Sequence, residues 1–305
     1  LIKGFIINRF RGDISLFDDG IDWIEQKTGK KVFGVLPWYN HINIEPEDSV
    51  VIEQPKQVLE NPGREPAVGV IRLPHISNFN DFDPLSAVNG LAVFFLEKVQ
   101  KLSQFSAIIL PGSKNTRFDL NWLHKTGWSK TIRNYVAQGG HVLGICGGYQ
   151  MMGNYVHDPD GLEGTPGKTD GLRLLPVETY LIAPKTTTLT RFSRQGLCGS
   201  GYEIHMGHTN RAGGLPLFRV TERNSQPCED EEGCIAPDSG NMGTYIHGLF
   251  ENPAIMGFWL QHIGLKNLAT SDLGGLEARN REYDLLVEHF EKHIDVKAIV
   301  ATVLG

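Results

Sequence analysis

The chain has 305 residues, 40% of them hydrophobic and 21% charged, with a formal net charge of −6. That composition suits an ordinary folded chain of one large domain or two smaller ones. The absence of any Lys/Arg block argues against nucleic-acid binding, because nothing would neutralise a run of phosphates. Four cysteines, at 146, 198, 228 and 234, are too few for a disulfide framework, and apolar runs such as LAVFFL are too short to span a bilayer. The expectation is a reduced cytoplasm, no membrane partner and small-molecule ligands.

Two β-rich runs, LIKGFIINRF (1–10) and KVFGVLP (31–37), flank DDGIDWIEQKTG, whose apolar positions 21 and 24 and terminal Gly29 suit a helix. This reads as a βαβ unit. The first residue is Leu1 and the first run is already a strand, so the reading is of a fragment whose N-terminal part is missing. Residues 38–66 carry four prolines and many acids without periodicity, which predicts a linker and a domain boundary near residue 60.

From AVGVIRLP (67–74) the alternation of β runs and helices resumes through LAVFFLE, SAIILPG, helical stretches within 116–138, and HVLGI (141–145). That order predicts a doubly wound, mostly parallel α/β sheet. Between 174 and 250 the runs LLPVETYLI, TTTLTRF, GYEIHMG and GTYIHGLF, broken by Gly and Pro, predict an added antiparallel layer. NPAIMGFWLQHIG and NREYDLLVEHFEKHIDVKAIV read as amphipathic helices.

Gly144, Cys146 and Gly148 fit GxCxG, the cysteine form of a nucleophile elbow. In such an elbow a strand ends in a strained turn, the reactive atom sits at its tip, and glycines flank it because neighbouring backbone passes too close for a Cβ. The N-terminus of the following helix would favour a thiolate, and the Gly147 N–H would face a developing oxyanion. The competing reading is a small buried hydrophobe, the usual fate of a lone cysteine. Two features favour the elbow: Gln150 extends the motif to GxCxGxQ, and ILPGSKN (109–115) supplies a second glycine turn whose Gly112 or Ser113 adds an oxyanion donor.

A thiolate needs a base. Among eleven histidines, His41, His124, His157, His262, His289 and His293 lie in polar or helical-surface contexts, and His75 is a loop residue without an assigned role. His247 ends the β run GTYIHGLF between two glycines and is the preferred base; His205 in GYEIHMGH is the runner-up, with His208 behind it.

GxCxGxQ at 144–150, LPGSKNT at 110–116 and GTYIHGLF at 243–250 resemble the class I (triad-type) glutamine amidotransferases. VIRLPHISNFNDFDPL (70–85), GYEIHMGHT (201–209) and GLRLLPVET (171–179) resemble, more narrowly, the C-terminal half of the cobyric acid synthase family. The resemblance implies a flavodoxin-like amidotransferase domain over 61–265, a remnant of an α/β ATP-dependent synthetase domain plus linker over 1–60, and a C-terminal helical extension over 266–305. It implies that Cys146 attacks glutamine to form a glutamyl thioester, that His247 moves the protons, that Gln150 helps hold the substrate, and that Gly147 with Gly112 or Ser113 cradles the oxyanion. The ammonia released would amidate corrin carboxylates, converting cobyrinic acid a,c-diamide to cobyric acid. No cofactor is implied for these residues themselves; ATP and Mg2+ belong to the N-terminal ATPase domain, the implied partner.

Triad-type relatives carry a glutamate two residues after the histidine, where this chain has Leu249. Glu203 is the candidate orienter, with an ordinary surface carboxylate the alternative. GLEGTPGKT (161–169) misses the phosphate-loop spacing by one residue and reads as a loop. SNFNDFDPL (77–85) reads as either a domain-contact loop or a plain connection, and CEDEEGC as a solvated loop without zinc spacing. A different cysteine hydrolase on the same elbow, or a catalytically silent binding module, remain the alternative functions.

Overall fold

The structure, a computed structural model, describes residues 2–39, 65–268 and 275–304, with backbone alone for 275–279 and 282. The boundary expected near residue 60 lies outside the described residues. The chain forms two compact units, residues 1–48 with 276–305, and residues 49–275.

In the first unit, strands Gly4–Phe10 and Lys31–Pro37 pair in parallel around helix Asp18–Thr28, which ends where Gly29 takes a left-handed φ of 63°. The βαβ reading therefore matches the observed elements. Helix Val296–Leu304, and helix Gly275–His293 from its second residue on, group with these strands. Their reason for docking is apolar. Phe33 and Leu36 of the second strand pack with Ile294, Phe290, Val296 and Ile299, and the Asp295 N–H donates to the Phe33 carbonyl at 2.7 Å.

The second unit is built on a six-stranded sheet in the spatial order Cys234–Ile235, Met242–Thr244, His141–Ile145, Ala107–Leu110, Ala67–Ile71, Ala92–Leu96. All its pairings are parallel except the first. For the five parallel strands this is the flavodoxin-like order 2-1-3-4-5, the doubly wound arrangement that the sequence order predicts. Because side chains alternate along a strand, Ala67, Ile71, Ile108, Leu110 and Val142 point to one face and pack with Leu120, Leu123, Trp128 and Ile132 of helices Thr116–Thr126 and Trp128–Ala137. Val68, Val70, Ile109, Leu143 and Ile145 point to the other and meet Phe82, Met256, Trp259 and Leu260. Two-sided burial is what a parallel sheet requires.

The antiparallel layer is also present. A five-stranded antiparallel sheet runs Gln226–Glu232, Phe218–Arg223, Thr186–Arg194, Leu197–His205, Ile246–His247, and a four-stranded mixed one runs Gly167–Asp170, Tyr155–Asp158, Val177–Tyr180, His208–Arg211, parallel only between its two middle strands. Two expectations are corrected here. CEDEEGC is not a loop: most of it forms the edge strand Gln226–Glu232, whose acids at 229–231 are exposed while Glu232 is buried. Residues 161–169 run into the edge strand Gly167–Asp170, with the Lys168 ammonium 4.2 Å from the Tyr155 ring centroid. A strand in that place, where a phosphate loop would open a helix, does not suit ATP phosphates. No helix among the described residues is long and apolar enough to cross a membrane.

Candidate active site

Strand His141–Ile145 delivers Cys146 to the carboxyl end of the parallel sheet, where open α/β folds place their sites. Cys146 adopts φ 51°, ψ −109° and caps the short helix Gly147–Met152. A non-glycine residue there is strained and persists only when its surroundings hold it. They do: the Cys146 N–H donates to the Thr244 carbonyl at 2.8 Å and its own carbonyl accepts the Gln150 N–H at 3.1 Å. The glycines follow from packing. A Cβ on Gly144 would lie 2.6 Å from the Met152 sulfur, and one on Gly148 would overlap the Leu110 carbonyl.

His247 arrives from the neighbouring sheet. Its strand pairs with Leu197–His205, setting His247 opposite Tyr202, and the two rings stack with centroids 5.2 Å apart. The Cys146 side chain lies near enough to the imidazole to favour its charged form, and the thiol donates to the Ile204 carbonyl at 3.4 Å. Both residues are almost wholly buried, Cys146 at 5% and His247 at 1% exposure. The preferred nucleophile and base of the sequence are therefore brought together.

The carboxylate against the His247 imidazole is Asp81, not Glu203. Asp81 Oδ2 lies 2.7 Å from His247 Nδ1, and Oδ1 accepts the Gly248 N–H at 2.9 Å. Glu203 cannot serve because it faces the other side of its strand. It accepts from Thr190 Oγ1 at 2.7 Å and Arg223 Nε at 3.3 Å, with His205 Nε2 at 3.6 Å. Burial opposes a charged ring at His247, but the Asp81 carboxylate and the thiol outweigh it and hold the imidazole pKa up at about 10. At neutral pH the arrangement favours an imidazolium beside the sulfur.

Asp81 comes from the SNFNDFDPL segment, which forms a 3-10 turn, Phe79–Phe82, and a short helix, Asp83–Ser86. Phe82 and Leu85 are buried beneath it and fix the turn. Three of its side chains serve the site: Ser77 lies against Gly112, Asn78 Nδ2 donates to the Tyr202 hydroxyl at 2.7 Å, and Asp81 holds the imidazole. The segment follows the carboxyl end of strand Ala67–Ile71, a position that signals a ligand loop. Spacing alone could not separate Asp81 from Asp83 or the asparagines beside it.

The remaining residues fall into place as follows. Gly112–Ser113 is a short strand paired with Ile76–Ser77, and a Cβ on Gly112 would come within 3.1 Å of His247 Cε1. The Ser113 hydroxyl donates to Asp119 at 2.7 Å and accepts the Asn115 N–H at 3.0 Å. Its side chain is thus committed, and the backbone N–H is the group left to face an oxyanion. Gly147 packs against that same N–H, which a Cβ would approach to 2.9 Å. Asp119 also anchors His75, whose Nδ1 lies at 2.9 Å. Gln150 is buried and spends its amide on protein, accepting from Thr116 Oγ1 at 2.8 Å and donating to the Met206 carbonyl at 3.0 Å and Tyr245 at 3.1 Å. It braces the elbow helix against the loop after His205. His205 itself stacks on Tyr245, centroids 3.7 Å apart, with Nδ1 3.1 Å from the Gly207 carbonyl.

A strained cysteine beside an imidazole that a buried aspartate holds is the equipment of thiolate acyl-transfer chemistry. Comparison with known proteins agrees with that chemistry. Residues 67–255 match the CobB/CobQ-like glutamine amidotransferase domain. The chain belongs to this family. It is 41% identical over 300 residues to a cobyric acid synthase of Chlorobium phaeobacteroides, covering 97% of this chain and 59% of that one. It is 40% identical to cobyric acid synthases of Syntrophobacter fumaroxidans, over 97% of this chain and 61% of that one, and Chloroflexus aurantiacus, over 95% and 58%. The chain thus spans about three fifths of the length of these relatives. Among solved structures, a glutamine amidotransferase superposes with a TM-score of 0.47 and 19% identity, over 65% of this chain and 98% of that one.

Proposed function

We propose that this chain hydrolyses glutamine through a Cys146 thioester and supplies the ammonia for amidation of corrin carboxylates, the glutaminase part of a cobyric acid synthase. The observation that carries it is the Asp81–His247–Cys146 set, assembled at a backbone-strained elbow from three separate parts of the family domain. The imidazolium stabilises the sulfur as thiolate, which attacks the substrate amide carbon. Negative charge then develops on the carbonyl oxygen, where the N–H groups of Gly147 and of the Gly112–Ser113 strand receive it; losing one such donor typically costs about 10²–10³ in rate. His247 gives its proton to the leaving nitrogen, ammonia departs, and the ring then activates the water that releases glutamate from the thioester.

Phosphoryl activation of the corrin carboxylates requires ATP and Mg2+. Residues 161–169 do not fit a nucleotide, so on this reading that step belongs to an ATPase domain joined to this one, in the cytoplasm. The relatives' names and greater length support it.

The test is a glutamine-mimicking alkylator. Modification of Cys146 that free glutamine blocks, together with glutamate release that Cys146→Ala abolishes, is expected. Labelling that glutamine does not compete would point instead to another cysteine hydrolase, and no labelling to a silent module.

A further inference from the structure

We infer that Glu232 is a positioning residue for the nucleophile and its base, an inference that rests on the glutaminase reading just given. Its carboxylate lies inside the second unit, 4% exposed, at the end of strand Gln226–Glu232. One oxygen accepts the Thr244 hydroxyl at 2.7 Å and the other the Tyr245 N–H at 2.6 Å. Those two residues are the hinge of the site. The Thr244 carbonyl holds the Cys146 N–H, its hydroxyl oxygen accepts the Ile246 N–H at 3.0 Å, and His247 follows two residues after Tyr245. The Tyr245 hydroxyl in turn bonds Gln150 of the elbow helix.

A single buried carboxylate therefore fixes the short bend from strand Met242–Thr244 of the parallel sheet to strand Ile246–His247 of the antiparallel one. Thr244 is paired with Ile145, immediately before the nucleophile, and His247 is paired with Tyr202. The sulfur-to-imidazole separation is set by how that bend is held. Neither sheet alone determines it, because the two strands belong to different sheets. Buried carboxylates are costly unless their oxygens are satisfied, and this one is satisfied by the bend alone among the hydrogen bonds described. The groups facing it are Glu203, Arg223 and Tyr149; burial first, then the Glu203 charge, push its own pKa up to about 8.

Glu232 does not touch the thiol, the imidazole or the oxyanion strand, so it acts through geometry. A misplacement of about 1 Å at reacting atoms can cost about 10²-fold in rate. The test compares Glu232→Ala, Glu232→Gln and the exposed neighbour Glu231→Gln, each first shown to be folded by circular dichroism and thermal unfolding. Glutamine hydrolysis and the pH profile of iodoacetamide labelling at Cys146 are then measured. Gln keeps an acceptor for the Tyr245 N–H and offers a donor to Thr244, so the expected order is E231Q equal to the unaltered chain, E232Q reduced by less than about 10-fold, and E232A by about 10- to 100-fold. The loss falls on kcat with KM for glutamine nearly constant, and the labelling inflection of E232A moves upward because the imidazolium is no longer held at the sulfur. A folded E232A whose kcat and labelling profile match the unaltered chain overturns the inference, as does a loss confined to KM. Should the unaltered chain fail to hydrolyse glutamine, the glutaminase reading falls while the labelling series still decides whether Glu232 sets the cysteine–imidazole contact.

Discussion

Replacing Asp81 with Asn isolates the charge at the orienting position while keeping its size. In the native site Asp81 accepts two short hydrogen bonds, from the His247 ring at 2.7 Å and from the Gly248 N–H at 2.9 Å. Asparagine can still take the Gly248 N–H with its oxygen, but its amide nitrogen then faces Nδ1. The ring answers by exchanging tautomers and presents Nε2–H to the sulfur, the wrong partner for removing the thiol proton. A hydrogen bond to a charged group contributes about 1.5–3 kcal/mol, and roughly 1.4 kcal/mol corresponds to tenfold. Loss of the charge-assisted contact therefore costs about 10- to 100-fold in imidazolium–thiolate population at neutral pH. The tautomer fault deepens the loss, and the same change in a serine triad costs about 10⁴ in kcat. The expected fall in glutamine hydrolysis is thus about 10²–10⁴-fold, with the His247 pKa dropping from about 10 toward its ordinary range. Initial rates of glutamate formation and the pH dependence of Cys146 alkylation measure both. A D81N chain with kcat within about threefold and an unshifted alkylation profile would falsify the assignment of Asp81, since a group holding the charged ring cannot be neutralised without effect.

Glu203→Gln should leave kcat within about threefold, because that carboxylate serves Thr190, Arg223 and His205, but should lower thermal stability by weakening a half-buried ion pair; an activity loss like that of D81N would place Glu203 in the catalytic set. Gly148→Ala drives a methyl into the Leu110 carbonyl at the sheet's carboxyl end, an overpacking of about 2–3 kcal/mol that should lower Tm by about 4–12 °C; an unchanged melting curve would show that the elbow helix has room to spare. His247 binds its proton more tightly folded, at about 10, than at its ordinary value of 6.5. The stability it contributes is present in full below about pH 6.5 and is lost as pH rises through 10. Urea titrations at pH 7 and pH 9.5 should therefore show a decline that His247→Gln reduces, and parallel declines would count against the ion pair.

The doubly wound core and the elbow were legible in the sequence because both are local. A parallel strand buried on two faces must be an apolar run, as AVGVI and AIIL are, and the crossover helices carry their period in adjacent residues. The elbow was legible for the same reason: Gly144 and Gly148 are required by clashes within the strand, turn and helix that contain them, apart from the one neighbouring strand that passes under Gly148. The C-terminal helices were legible as helices, yet not as partners of Lys31–Pro37, because their amphipathic face records that something apolar is covered and not what covers it.

Asp81, Glu203 and Glu232 show the limit. Asp81 stands among asparagines and another aspartate, Glu232 among other acids and Glu203 in a run with no other acid, and nothing in the neighbouring letters distinguishes the one that meets an imidazole from the one that meets an arginine. What distinguishes them is sheet register. Pairing Tyr202 with His247 turns Glu203 to the opposite face of its strand, since successive side chains alternate, and the fold brings residue 81 within 2.7 Å of a ring 166 positions later. Sequence by itself determined that a cysteine stands in a glycine-flanked elbow at the end of a parallel strand. Only the tertiary structure decided which carboxylate holds its base, because that choice is made by contacts between segments far apart in the chain, whose energies leave no local pattern.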